Sequence, residues 1–211
     1  MIVHLAFLSA LSIFHALLSH PRVRRARYFM IHALFNAWVV HNVLADATFT
    51  IAHPTITYTT SPTIIYHVAL FHLYHWACYE TSMDDKVHHI INVFVVAPLL
   101  WSYPNNITSL GLFFMCGLPG GLIYVLLTLH KVGLISKTTV KRSSKHINMW
   151  IRAPGIVVTC YLIGLNYVTS PHLWVRLTSA FVLVASMWNG MYFLSTIILS
   201  EHGASRSHPP T

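Results

Sequence analysis

A polar stretch between two apolar segments brings together residue types that could do acid–base chemistry. In MDDKVHHIIN, residues 83–92, Asp84 and Asp85 come shortly before His88 and His89. A carboxylate one helical turn before an imidazole can fix its tautomer and raise its basicity, as a general base requires. Helix capping alone would also explain the aspartates, because free backbone N–H groups stabilise a carboxylate there. Capping does not account for the histidine pair, so all four residues are candidate catalytic residues.

A second polar group precedes this stretch. His72, His75 and Tyr79 recur at offsets of three and four, which places them on one face of a helix and makes them candidate lipid-binding residues. His88 and His89 differ by about 100° around a helix, so we expect one to face a cavity and the other a neighbouring helix. About half of the sixteen histidines fall in apolar segments, where an ionisable side chain points to a function by default. These are His15, His32, His41, His67, His72, His75, His88 and His89.

Two later stretches, CGLPGG at 116–121 and NMWIRAPG at 148–155, complete the candidate lipid-binding residues. Gly117 and Pro119 predict a kink or break, because proline removes a backbone hydrogen bond. In a membrane such a break persists only inside protein or beside a cavity, although close helix packing explains small residues equally well. Arg152 could extend to lipid phosphates, or it could anchor an acidic headgroup or an aspartate in a cavity.

The elements that must position these residues are membrane helices. Of the 211 residues, 55% are hydrophobic and only 9% are charged, against roughly 25% charged in soluble domains. The apolar residues form seven blocks, each about long enough to cross roughly 30 Å of hydrocarbon as a helix. We therefore predict an all-α polytopic bundle, with one membrane domain over residues 1–200 and a polar C-terminal tail over 201–211. The predicted spans are 3–19, 28–49, 63–79, 87–103, 107–129, 149–168 and 177–200.

Basic residues of the connections fall on one side of this predicted bundle. Because short loops rich in Lys and Arg stay cytoplasmic, we expect a lumenal N-terminus and a cytoplasmic C-terminus. Such loops facing anionic lipids also account for the net charge of +8, so no nucleic-acid partner is expected. The residues concerned are Arg22, Arg24, Arg25, Arg27, Lys86, Lys131, Lys137, Lys141, Arg142 and Lys145.

Residues 84–111 resemble the TLC domain family, which comprises the ceramide synthases with translocon-associated, lipid-sensing and lipid-trafficking relatives. The likeness lies in DDKVHHIINV followed by LLWSYPNNITSLG. It implies a helical barrel of six or seven spans, a cavity that takes acyl-CoA and a long-chain base, and His88 and His89 as acyl-transfer residues. Because CGLPGG replaces the acidic residues that synthases carry later, the likeness favours a non-synthase branch that handles or senses lipid. It also implies the endoplasmic reticulum, with an organellar inner membrane as the alternative.

Three function classes follow. The first is an integral membrane protein that binds a lipid or acyl chain in an intramembrane cavity, with acyl transfer left open and no cofactor beyond a bound lipid or acyl-CoA. The second is a non-catalytic accessory subunit of a large membrane complex, whose partners would include other subunits. The third is a histidine-ligated metal or haem protein, which the two histidine pairs suggest and the lack of a third histidine cluster disfavours.

Overall fold

The computed structural model describes residues 2–21, 23–80 and 83–207, and their backbone is helical almost throughout. No β-strand occurs in these ranges, only an isolated antiparallel bridge between Thr59 and Asn105. The all-α prediction is confirmed. Arg22 and residues 208–211 of the polar tail lie outside the described residues, as do the side chains of 201–207. The helices are α1 (Ile2–Leu17), α2 (Arg27–Ala52), α3 (Thr63–Cys78), α4 (83–102), α5 (Asn106–Lys131), α6 (Lys137–Thr169) and α7 (Leu173–Ser207).

Four of the described helices, α2, α5, α6 and α7, are long and apolar enough to cross a membrane. Shorter apolar helices cover Val3–Leu17 and Lys86–Ser102. Large apolar side chains lie on the outside of the bundle, among them Trp150 and Leu199, each 72% exposed. Such a surface is typical of helices that face lipid rather than water. The chain therefore has the helices of a transmembrane protein, and each predicted span falls on one helix.

The basic segment before the sixth predicted span is also helical. Ser136 caps it by accepting a hydrogen bond from the N–H of Thr139 at 3.0 Å. Val140 and Ser144 are its buried residues, one turn apart. Hydropathy located only the apolar part of α6, because a helix that packs one narrow face has few apolar residues to reveal it.

Three helices each contain one π-helical turn, and each turn precedes a proline by the same spacing. A proline ring clashes with the carbonyl four residues earlier and donates no hydrogen bond to it. In all three cases that carbonyl belongs to the middle residue of the π turn, where the wider helix leaves room for the proline ring. The break that the sequence allowed at 116–121 does not occur, since α5 continues through its π turn. The turns are Asn92–Val96 before Pro98, Phe113–Gly117 before Pro119 and Asn148–Arg152 before Pro154.

Helix α2 is the central packing element. Its buried apolar residues recur every four positions, which forms one stripe along the helix. The half of the stripe near the start of α2 packs against α1 and α3, where the rings of Phe35 and Phe71 stack at 3.8 Å. The other half packs against α5 and α6 through Ala47, Leu110 and Leu162. This arrangement leaves a space bordered by α2 to α7. The stripe residues are Ile31, Phe35, Val39, Val43 and Ala47.

The connection between α2 and α3 is held by Asn106, the first residue of α5. Its side chain is fully buried. The amide nitrogen donates to the hydroxyl of Thr50 at 2.9 Å and to the carbonyl of Ile56 at 3.0 Å. The amide oxygen accepts from the N–H of Tyr58 at 3.0 Å. One buried side chain thus bonds three polar groups and ties the connection to α5.

Asp46 completes this corner by accepting hydrogen bonds from the hydroxyls of Tyr58 at 2.6 Å and Ser109 at 2.8 Å. Burial, followed by the hydrogen bond to Asp46 and its negative charge, raises the pKa of Tyr58 from 10.0 to about 12. A group whose pKa is raised on folding adds stability that is present below the unfolded pKa and is lost as the pH rises through the folded one. For Tyr58 that window runs from pH 10 to about 12.

We therefore expect the variant Tyr58→Phe to lose less stability than the wild-type protein between these two pH values, because the variant has no phenol to titrate. Thermal unfolding of detergent-solubilised protein across the pH series measures this difference. Tyr161→Phe, which removes an exposed hydroxyl, is the matched control. Parallel losses in the Tyr58→Phe and wild-type proteins would contradict the hydrogen bond to Asp46.

Candidate functional site

A cavity of about 400 Å³ lies between the helices. Sites for small molecules in proteins usually measure roughly 300–1,000 Å³. Its wall includes both Ile65 and His75 of α3, so it extends about 15 Å along that helix. Most of the wall is apolar, with Ala69, Leu100 and Leu112 on it. Histidines gather at one end, and smaller neutral polar side chains line the other end and α7. A mostly apolar wall with a histidine-rich end suits a ligand with a hydrocarbon part and a polar part.

Five histidines from three helices form a continuous cluster at the histidine-rich end, and all of them line the cavity. His75 is its centre, with ring centroids 4.7 Å from His32 and 4.1 Å from His89. His72 extends the cluster, at 5.2 Å from His89 and 5.8 Å from His88. The cluster lies where α3 ends and α4 and α2 begin, which is the side of the basic connections. We call these five residues the histidine cluster.

His88 and His89 both line the cavity, whereas the sequence analysis expects only one of them to do so. His89 is buried against His75, and His88 is half-buried with its Nδ1 3.2 Å from the amide nitrogen of Asn92. The contact between α3 and α4 forms part of the cavity wall. The ring of His89 packs on α3 at this contact and therefore also borders the cavity. The backbone of Asp84 and Asp85 forms the first turn of α4, but their side chains lie outside the described residues.

Tyr79 is not part of the cavity wall. Its ring lies 5.0 Å from that of Tyr28 and 5.7 Å from that of His15, and the guanidinium of Arg27 sits over it at 5.7 Å. Tyr28 in turn lines the cavity. Although Tyr79 follows His75 by one turn in sequence, α3 ends at Cys78, so the helical offset no longer sets its direction. Tyr79 therefore packs against the outer side of the cavity wall.

Gly117 and Pro119 are also placed behind the wall. A Cβ on Gly117 would lie 3.1 Å from the side chain of Val40, so this glycine allows α5 and α2 to pack closely. Pro119 is fully buried. Close packing is therefore the role that the structure gives both residues. The wall of α5 near the histidine-rich end is formed instead by Cys116 and Gly120.

Arg152 lines the cavity from the π turn of α6. Its Nη1 donates to the amide oxygen of Asn148 at 2.8 Å, and its Nε is enclosed without an acceptor. A Cβ on Gly120 would lie 3.8 Å from its Nη2, which places the guanidinium against α5. Of the two alternatives that the sequence left open, the geometry favours a guanidinium inside the bundle over one that extends to lipid phosphates.

Several residues of the cavity wall are not among the site candidates that the sequence predicts. His32 was one of many histidines in predicted spans, and its ring contacts that of Tyr124, at 4.4 Å, as well as His75. Its depth, a little more than one turn into α2 from the basic connection, was the signal that could have placed it beside His75. On α7, small polar residues line the wall at helical spacing, including Thr178, Ser186 and Asn189. The recurrence of small polar residues along one face of an apolar helix was their signal.

Metal-ligand geometry is not found in the described part of the chain: no group of three or more His, Cys, Asp or Glu side chains there could hold a metal ion. In two of the cluster histidines one ring nitrogen faces its own helix. Nδ1 of His72 lies 2.7 Å from the carbonyl oxygen of Val68, and Nδ1 of His32 lies 2.8 Å from that of Tyr28. Each of these rings presents only Nε2 to the cavity side.

No family model, curated protein or solved structure matches this chain. The likeness of residues 84–111 to the TLC family therefore stays a prediction. What the chain can do has to be argued from its cavity, the histidine cluster and Arg152.

Proposed function

We propose that this chain is a TLC-like integral membrane protein that holds the acyl chain of a lipid in the cavity between its helices. The observation that supports the proposal is the division of one cavity into a long apolar part and a histidine-rich end. Hydrocarbon fits the apolar part because burying it there removes it from water, at roughly 0.8 kcal/mol per methylene. A lipid headgroup fits the histidine-rich end, where imidazole and hydroxyl groups offer hydrogen bonds.

The proposed topology has seven spans, one for each helix. Helices α1 and α3 have sixteen residues each, near the lower limit of about 17 for a membrane span. The basic residues of 18–27 and 131–145 then face the cytoplasm together with the C-terminus. The histidine cluster lies at this same end, so the headgroup would enter from the cytoplasmic side. The proposed location is the endoplasmic reticulum by family likeness, or an organellar inner membrane.

Acyl transfer is the further step that the histidine pair would allow. With an acyl-CoA as donor, His88 or His89, as a neutral imidazole, would take the proton from an acceptor hydroxyl or amine as that group attacks the acyl carbonyl. The C–S bond would then break, and the leaving CoA thiolate would take this proton from the imidazolium. Both rings border the cavity, which is the placement that a base for a bound acyl group needs. The proposal of lipid binding does not depend on this step.

Native mass spectrometry of the gently solubilised protein, followed by lipid extraction, tests the proposal. We expect one acyl lipid per chain. The variant Ala69→Phe puts a ring into the cavity wall and should lower lipid retention by about tenfold or more, since displacing two methylenes already costs roughly 1.6 kcal/mol. Ala45→Phe, on the exposed face of α2, is the matched control and should retain the lipid.

Equal lipid content in Ala69→Phe and Ala45→Phe would contradict the cavity as the binding site. Co-purification with other membrane subunits, without bound lipid in the wild-type protein, would favour the accessory-subunit alternative. A metal or haem found in the same sample would favour the third class.

A further inference from the structure

We infer that the cavity takes a single-chain amphiphile with an anionic head, a carboxylate or a phosphate, and that Arg152 binds this head. The inference rests on the proposed lipid-binding function and names the chemical class of the ligand. Three residues from three helices carry it: Arg152 of α6, Asn36 of α2 and Gly120 of α5. We call them the Arg152 cradle.

The first step is that the charge of Arg152 has no partner among the carboxylates whose side chains the structure describes. A guanidinium stays protonated in proteins, and a buried charge is costly unless it is paired. Its only hydrogen bond with a described residue is to Asn148, a neutral amide. Among the described carboxylates, Asp46 is engaged by Tyr58 and Ser109, and Glu80 is exposed in the turn after α3. Neither pairs with Arg152, so an anion in the cavity would supply the missing partner.

The second step is the amide of Asn36. This side chain is 5% exposed and borders the cavity, so its amide nitrogen can donate to a ligand there. An oxygen of a bound head would accept that hydrogen bond. Because Arg152 also presents N–H donors, the cradle offers donors from two helices, which suits a group with several acceptor oxygens.

The third step is the close approach of these two donors to α5. Gly120 is buried and lines the cavity. A Cβ built on it would lie 2.9 Å from Nδ2 of Asn36 and 3.8 Å from Nη2 of Arg152. The absence of a side chain at residue 120 therefore lets both donors lie side by side at the cavity wall. An alanine there would displace the amide of Asn36.

The cavity volume favours a ligand with one chain. At about 400 Å³ it lies near the lower end of the roughly 300–1,000 Å³ of small-molecule sites. We therefore assign it a ligand with one hydrocarbon chain. The apolar wall continues from the cradle towards Ile65 and Leu100, so the chain would lie along α3 and α4.

Binding of matched single-chain probes to the delipidated, detergent-solubilised protein tests this inference. The probes are radiolabelled palmitate, hexadecyl phosphate, hexadecanol and hexadecyltrimethylammonium, which share one chain and differ in the head. We expect the two anions to bind at least about tenfold more tightly than the alcohol, because a hydrogen bond to a charged group typically contributes that much, and we expect the cation to bind more weakly still. Millimolar inorganic phosphate should not displace palmitate.

Two arginine variants separate the cradle from general charge. Arg152→Gln should remove the preference for anions over hexadecanol, whereas Arg152→Lys should retain part of the preference. Arg176→Gln is the matched control, because Arg176 is exposed and sits over the ring of Tyr167. Gel filtration and thermal unfolding show whether each variant is folded.

The outcomes distinguish the two proposals. Equal affinity for palmitate and hexadecanol in the wild-type protein would overturn the anionic head and leave the lipid cavity standing. Binding of none of the four probes would overturn both. Displacement of palmitate by inorganic phosphate alone would show that the cradle binds free anions, and would overturn the single-chain ligand. A preference for anions that persists in Arg152→Gln would overturn the role of Arg152.

Discussion

Replacing Gly155 by alanine destabilises the bundle by about 2–3 kcal/mol, the upper part of the range for overpacked cores. A Cβ at this residue would lie 2.1 Å from Cγ and 2.6 Å from Cβ of Phe114, far inside van der Waals contact. Those atoms are the root of the Phe114 side chain, so a rotamer change cannot remove the clash and helix α6 must move. Chemical unfolding in detergent micelles measures the loss.

The matched control is Gly111→Ala, at the same contact between α5 and α6. A Cβ there meets Thr159 at 3.4 Å and Met115 at 3.7 Å, which is ordinary contact, so this variant should unfold like the wild-type protein. In a double-mutant cycle, Gly155→Ala should cost less in the Phe114→Ala background than in the wild-type protein, because Cγ and the ring of Phe114 no longer clash with the new methyl group. If Gly155→Ala and Gly111→Ala unfold alike, α6 does not approach α5 as described. This approach also positions the Arg152 cradle, whose members lie on these helices and on α2.

Replacing Asn106 by alanine is expected to cost about 2–3 kcal/mol. Its fully buried amide makes three hydrogen bonds, to the hydroxyl of Thr50, the carbonyl of Ile56 and the N–H of Tyr58. Each hydrogen bond contributes roughly 0.5–1.5 kcal/mol. Unfolding in detergent measures the total, and limited proteolysis should find the connection between α2 and α3 opened in the variant.

Asn42→Ala is the control for this substitution. Asn42 is exposed and donates only to the carbonyl of Trp38 in its own helix, at 2.8 Å. Its replacement should change the stability by less than about 0.5 kcal/mol, as surface substitutions usually do. A similarly small effect of Asn106→Ala would contradict the buried corner. A large effect would show that Asn106 holds the fold.

This result bears on the TLC-like stretch at residues 84–111, whose parts have different positions. His88 and His89 border the cavity, and Asn106 lies in the corner of the bundle that holds the connection between α2 and α3. A likeness over the stretch therefore combines residues that could contact a ligand with residues that stabilise the fold. Variants that test ligand binding should therefore replace His88 or His89.

The sequence by itself determined the helical class, the position of each helix and the end of the bundle where polar residues collect. These properties are local, because hydropathy over a span length and the spacing of residues within one helix are enough to predict them. The offset of His72 and His75 is such a local property, and both residues do line the cavity. The sequence predicted a kink or break at Pro119, and of these the break does not occur because α5 continues through a π turn, which hydropathy does not reveal.

Only the tertiary structure decided which side chains meet. His32 joins His75 and His89 across three helices, and Asn36, Gly120 and Arg152 lie side by side at the cavity wall although more than a hundred residues separate the first from the last. Tyr79 and Pro119 lie behind the wall for the same reason. The rotation of each helix about its axis selects the residues that face the cavity, and packing against the neighbouring helices sets that rotation.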